Sequence, residues 1–312
     1  MSTDERWEIA PEDEEYPESL RPIEDIAARI YGKGDKAVLK TRCISIIGAR
    51  KATPYGLAVA RMAARVAAEC DITVVSGGAM GCDFAATEAA LEAGGKTIIV
   101  SGCGADRIYP RSSESIFRET VASGGALISL EHWGTNVHRY AFPKRNNVIA
   151  ALSDSIVVAE AGVPSGTIST AERAIDLEKN LYVIPGSIFS PNSRGTNLLL
   201  EQGVAFMIPD ELALELRIAA DYGAERVVLD GPVRESGRVL SALIANPMRP
   251  EELAEQLSCE IITIMKTLTE KEAAGEVERL PDGRYSPTAG VLMRHNTRKV
   301  EKHAELARGK DG

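Results

Sequence analysis

Aromatic side chains make up only 5% of the 312 residues, too few for an extended platform on which successive bases would stack. Any contact with nucleic acid must therefore rest on charge, backbone amides and a small number of rings. Cysteine is scarce too, and Cys43, Cys70, Cys82, Cys103 and Cys259 form no CxxC pair. That argues against a zinc site or a disulfide framework and predicts reduced thiols in a cytoplasmic protein. No apolar run approaches the roughly 18 residues of a membrane span. The acidic opening MSTDERWEIAPEDEEYPESL has neither the basic nor the apolar segment of a secretory signal. The four histidines, His132, His138, His295 and His303, fall in no metal-ligand motif and beside no nucleophile in a glycine loop, so neither a metal nor a cofactor is expected. An excess of cations is missing as well, since the net charge is −9. Residues 1–35 hold eleven acidic and four basic side chains, so the remainder is nearly neutral and leaves room for a local basic pocket.

What the chain does have is 44% hydrophobic residues, enough for a substantial core. From Cys43 onward, short β-branched runs alternate with Ala-rich stretches of helical length. The strand candidates are 43–48, 72–76, 97–101, 126–130, 155–160, 181–185 and 204–208. Helices are expected near 54–69, 82–94, 112–123, 143–152, 167–178, 194–202 and 211–220. Strands so uniformly apolar must be buried on both faces, as in a sheet covered by helices. The expected fold is α/β, a doubly wound, Rossmann-like, mostly parallel sheet over 41–222. Residues 1–40 read as an acidic lead-in, mobile except where Tyr16-Pro17 and Leu20 dock. After a polar linker, three helices (236–246, 250–257, 259–274) and a hairpin about Pro281-Asp282-Gly283 outline a small C-terminal winged-helix domain over 236–288. Ile261, Ile264, Met265 and Leu268 recur at helical spacing and are expected in its core. A polar tail, 289–312, is expected to be disordered.

Four loops follow strands, at the ends that converge on one crevice in such a sheet. In Gly48-Ala49-Arg50-Lys51-Ala52-Thr53-Pro54, Thr53 is a plausible N-cap and Pro54 a first helical residue. That places Arg50 and Lys51 beside a positive helix end suited to phosphate; an ordinary turn with solvated bases is the alternative. Ser76-Gly77-Gly78-Ala79-Met80-Gly81 lets amides approach an anion, yet it is neither a Walker A loop nor a G-x-G-x-x-G fingerprint. Arg139-Tyr140-Ala141-Phe142-Pro143-Lys144-Arg145-Asn146-Asn147 joins cations to rings able to stack a base, or is a charged loop whose ring covers the core. Val163-Pro164-Ser165-Gly166-Thr167 is a further strand-to-helix junction.

Together GARKATPYG, SGGAMGCD, GADRIYP, FPKRNN with IAALS, EAGVPSGTISTA and PGSIFSPNSRGTNLLLEQG resemble the DNA-processing protein A (DprA/Smf) family in order and spacing. The likeness covers about 43–205, with YPESL similar to the family's lead-in. The resemblance implies a homodimer that is not an enzyme, that binds and protects incoming single-stranded DNA, and that loads the RecA recombinase in natural transformation. Carried over by motif, Arg50, Lys51, Gly77, Gly78, Phe142, Lys144, Arg145, Asn146, Ser165 and Gly166 would contact DNA. Where the family usually reads Arg-Asn-Arg, this chain reads Arg145-Asn146-Asn147, one cation fewer.

Catalysis is the rival class. Asp83, Glu88, Glu160 and Glu172 could serve as acid and base, although capping helices or orienting cations is their commoner role. A Rossmann-like nucleotide phosphoribohydrolase of the lonely-guy kind shares the SGG-type loop. Its later Gly-Gly-x-Gly-Thr-x-x-Glu segment is only partly resembled by Pro164-Ser165-Gly166-Thr167 with Glu172.

Overall fold

In the computed structural model, which describes residues 6–24, 26, 28–224, 226, 232–288 and 291, the apolar runs become strands of one nine-stranded sheet. In chain order these are β1 (Arg6–Ile9), β2 (Ile30–Gly34), β3 (Cys43–Ile47), β4 (Thr73–Ser76), β5 (Thr97–Val100), β6 (Ala126–Ser129), β7 (Ser155–Val158), β8 (Asn180–Val183) and β9 (Phe206–Met207). The sheet order is β1-β2-β6-β5-β4-β3-β7-β8-β9. From β6 to β9 every pairing is parallel, whereas β1 and β2 add antiparallel at one end. The helices are α1 (Pro54–Glu69), α2 (Cys82–Glu92), α3 (Glu114–Ala122), α4 (Ala141–Leu152), α5 (Gly166–Asp176), α6 (Arg194–Glu201) and α7 (Glu211–Tyr222).

Every residue of β3 is buried, because both faces are covered. Ile44 and Ile46 pack with the Ala-rich surfaces of α1 and α2. Cys43 and Ile47 lie in the opposite layer with Val148, Ile149 and Leu152 of α4, where Ser45 Oγ donates to the Ile149 carbonyl at 2.9 Å. The fold is thus doubly wound, and the chain reverses its direction of growth between β3 and β7, opening a crevice at their carboxyl ends.

Tyr16 and Leu20 dock in the main core as expected, but the expectation that the rest of the lead-in is mobile fails for its described residues from Arg6 on. Ile9, Ile26 and Ile30 are buried in the same core, and acidic residues of this segment are used in tertiary contacts. Trp133 Nε1 donates to Glu8 Oε1 at 2.8 Å, and Lys36 pairs with Glu15 at 2.6 Å. The signal was hidden because short strands with outward-facing charges resemble a solvated segment.

A second unit comprises α8 (Pro232–Ala245), α9 (Pro250–Leu257), α10 (Ile261–Ala273) and the hairpin β10 (Val277–Arg279) with β11 (Tyr285–Pro287), a winged-helix domain with its own core. Val239, Leu243, Leu253, Leu257, Ile264, Leu268, Val277 and Tyr285 fill that core. Ile261 and Met265 are exposed instead, since the inward face of α10 runs through Ile264, Thr267, Leu268 and Lys271. The anticipated tail, 289–312, lies outside the described residues except for Val291.

Candidate nucleic-acid interface

Thr53 caps α1 as its sequence suggests, accepting from the Gly56 amide at 3.1 Å with Pro54 at the first helical position. The positive end of this helix is nevertheless occupied. Glu160, buried at the end of β7, accepts from the Thr53 amide at 2.8 Å and from its hydroxyl at 2.5 Å. A carboxylate of the chain itself therefore takes the place in which a phosphate was anticipated. The turn remains important because it projects Arg50 sideways, its guanidinium 4.9 Å from the centre of the Phe142 ring.

The helix expected near 143–152 begins two residues earlier, at Ala141, so Phe142 as well as Lys144, Arg145 and Asn146 belongs to the first two turns of α4. Pro143 is tolerated there because the opening turn has no intrahelical acceptor for its missing N–H. Helical spacing turns Arg145 inward and leaves Lys144 exposed. Arg145 is only 7% exposed and lies 3.7 Å from Asp83 at the start of α2. Asp83 also accepts from the Gly77 amide at 3.2 Å. Gly77 leaves room for the guanidinium, since a Cβ on it would lie 1.5 Å from Arg145 Nη1 and displace it. Gly78 behind it has φ +63°, and a Cβ there would strike Phe117 and Ile99.

Burial disfavours both charges of this pair, raising the Asp83 carboxyl and lowering the Arg145 guanidinium. Their mutual attraction opposes both shifts, and the amides of Ala79 and Gly77 further favour ionised Asp83. The nearby Arg50 charge pushes Arg145 lower still.

These groups border an open cleft of about 360 Å³, including its solvent-filled mouth, lined by Arg50, Gly77, Ala79, Met80, Gly102, Tyr109, Pro110, Phe142 and Arg145. Among the expected residues, the fold brings Arg50, Gly77, Phe142 and Arg145 to this cleft, with Gly78 next in the chain. Lys51 and Lys144 are exposed outside its lining. Asn146 and Gly166 meet each other, the Asn146 side chain donating to the Gly166 carbonyl at 3.4 Å. Ser165 is spent as the cap of α5, accepting from the Ile168 amide at 3.4 Å. Gly102 was not anticipated, and Tyr109, part of the GADRIYP resemblance, was assigned no contact. Tyr109 lies 6.1 Å from the Phe142 ring, and its position in GADRIYP after β5 was the available signal. No carboxylate is among the described lining residues. Glu88 is likewise engaged, by Arg61.

A cationic, glycine-floored cleft at the carboxyl edge of a parallel sheet, here over β3, β4 and β5, occurs in several families, and the whole chain distinguishes among them. Residues 7–216 match the family model described as DNA recombination-mediator protein A. The chain belongs to this family. Residues 228–283 match the DprA winged helix domain. Protein Smf of Escherichia coli (strain K12) is 28% identical over 284 residues, covering 88% of this chain and 76% of that protein. The DNA processing protein DprA of Streptococcus pneumoniae (strain ATCC BAA-255 / R6) is 34% identical over 193 residues, 61% of this chain and 67% of the relative. Among solved structures, DNA processing protein A from Helicobacter pylori, described for its single-stranded DNA binding mode, superposes with a TM-score of 0.64 at 31% identity. That match covers 71% of this chain and 99% of the other.

Proposed function

We propose that this family member binds single-stranded DNA in the cleft, without catalysis, and that a homodimer protects the strand and passes it to the RecA recombinase. One observation carries the reading: the Arg145 guanidinium is held over Gly77 beside Arg50 and Phe142, in a cleft whose described lining contains no carboxylate. Two guanidiniums offer forked donors to phosphate, and Phe142 and Tyr109 offer rings to a base. Asp83 and Glu160, the acids closest in sequence to the glycine loops, are buried against Arg145 and Thr53. This favours binding over hydrolysis of a nucleotide's glycosidic bond, which needs an acid or base within reach of the substrate. The relative from Helicobacter pylori, described by its single-stranded DNA binding mode, supports the same reading.

The test is anisotropy titration of the purified chain with labelled single-stranded and duplex DNA across a salt series. Single strands should bind more tightly. Arg50→Ala should weaken binding and flatten the salt slope by about 0.7 log units per lost phosphate contact. Equal affinity for duplex, or base released from adenosine monophosphate, would overturn the reading. For the dimer, Phe206 and Met207 on the edge strand β9 and Leu212 and Leu216 on α7 offer exposed apolar side chains to a second copy. Light scattering should give a dimer at micromolar concentration that Leu216→Lys splits; a wild-type monomer removes this part of the proposal. On strands coated with single-strand-binding protein, the chain should shorten the lag before RecA filaments form, and an unchanged lag removes the transfer step.

A further inference from the structure

The loop joining β8 to α6 carries the two most exposed large apolar side chains among the described residues, Ile188 at 84% and Phe189 at 90%. Single exposed apolar residues need no explanation, but an adjacent pair at the tip of a tied-down loop does. Asn197 clamps Gly186 from both sides, accepting from its amide at 3.1 Å and donating to its carbonyl at 3.0 Å. Tyr55 of α1 donates to the Pro185 carbonyl at 2.7 Å. At the tip, the Phe189 amide donates to Ser187 Oγ at 3.3 Å and the Ser190 amide to the Ser187 carbonyl at 3.0 Å. The ring is thus presented in water on a hydrogen-bonded support, its ordering cost already met by the fold.

Its surroundings indicate the occupant. The Asn192 side chain donates to the Lys51 carbonyl at 3.2 Å, and the Gly195 amide to the Ala161 carbonyl at 2.7 Å. The loop is therefore stitched to the turns that follow β3 and β7, on the same edge of the sheet as the cleft. Residues 48–56, 161–171 and 184–200 contain Arg50, Lys51 and Arg194 and not one carboxylate, in a chain whose net charge is −9. From β4, whose loop floors the cleft, to β8 is three strand spacings, roughly 14 Å. A strand of nucleic acid leaving the cleft along this rim meets Lys51, then the Phe189 ring, with Arg194 at the foot of the loop.

We propose that Phe189 is a second stacking site for single-stranded nucleic acid, receiving a base a few nucleotides from the one held in the cleft. This rests on the cleft being the primary binding site. A protein partner would want the same apolar tip, but it has no comparable use for turns that expose Arg50, Lys51 and Arg194 while the adjoining Glu160 is buried against Thr53.

The test compares the full chain with Phe189→Ala, Phe189→Tyr and Arg50→Ala, using oligothymidylates of increasing length and the same strands made abasic. On strands long enough to span the rim, Phe189→Ala should lose about 5- to 140-fold in affinity, the range measured for one stacked base, and Phe189→Tyr should restore it. On oligomers that fill only the cleft, and on abasic strands, Phe189→Ala should match the wild type. If Phe189→Ala binds long strands as the wild type does while Arg50→Ala is weakened, the second site is wrong and the cleft reading stands. If the wild type binds no single strand, both fall. A loss that persists on abasic strands makes the ring's role structural and also overturns the proposal.

Discussion

Arg50 and Arg145 approach the same phenyl ring from different depths, and their removal should have different consequences. Arg145 is buried opposite Asp83, so Arg145→Ala leaves an uncompensated carboxylate in the interior and should cost about 3 kcal/mol of stability besides affinity. Arg50 is exposed, and Arg50→Ala should lower affinity while leaving stability within about 0.5 kcal/mol. Urea unfolding of both variants checks this; equal stabilities would mean that the Asp83–Arg145 pair contributes nothing. The cysteines allow a second prediction. Burial pushes the Cys43 thiol up to about 12 and Cys70 up to about 11, and raises Cys82 and Cys103 as well. Cys259 is only half-buried. Ellman's reagent near pH 8 should therefore titrate about one thiol in the native chain and all five cysteines after unfolding. Because the folded chain holds the Cys43 and Cys70 protons more tightly than the unfolded one, their contribution to stability is fully present below about pH 8.5. It is lost as pH rises toward 11 and 12. A native chain that releases four or five thiols at once would contradict this.

Among the elements, β1 and β2 were the least expected, and they decide how the sheet ends. They cover the outer edge of β6 and bring Ile9 and Ile30 into the core, with Tyr16, Leu20 and Ile26 packed along the intervening chain. Each such buried Ile or Leu contributes about 1.5–3 kcal/mol. Deleting residues 1–35 should consequently yield an insoluble or molten chain, because β6 would be left as a bare edge over an opened core. A soluble deletion variant with an unchanged melting transition would show that this hairpin is an accessory. α4 makes the complementary point. A motif that looks like a charged loop supplies both a buried and an exposed cation because it is helical, and successive helical residues point about 100° apart.

At the scale of the whole molecule, the chain is two units with separate cores. The face that α10 turns to solvent carries Ile261, Ile262 and Met265 with Lys266, a surface short of the arginine and amide side chains that read bases in a major groove. The wing adds Arg279 and Arg284, but Arg284 is paired with Asp282 at 2.7 Å. Removing residues 232–312 should therefore leave affinity for single strands within about threefold, or about 0.65 kcal/mol. A loss of tenfold or more with the α/β domain still folded would assign DNA contact to the winged helix. No described helix is long and apolar enough to cross a membrane.

The seven parallel strands and their helices were legible in the sequence because each is signalled within a short window. A buried parallel strand is a run of apolar residues, and a helix start such as Thr53-Pro54 is a local capping arrangement. The glycine loops and the cations of the cleft were legible for the same reason. What only the tertiary structure decided are the pairings between distant parts of the chain. Glu160 closing the end of α1 across 107 residues, and Tyr109 meeting Phe142, depend on which strands lie side by side. So does the capture of the acidic first segment by the sheet, whose charges read as solvated until partners from Lys36 to Trp133 are brought to them. Local sequence sets what each segment prefers to be. Which side chains meet at the carboxyl edge is set by strand order, and strand order depends on contacts between residues far apart in the chain.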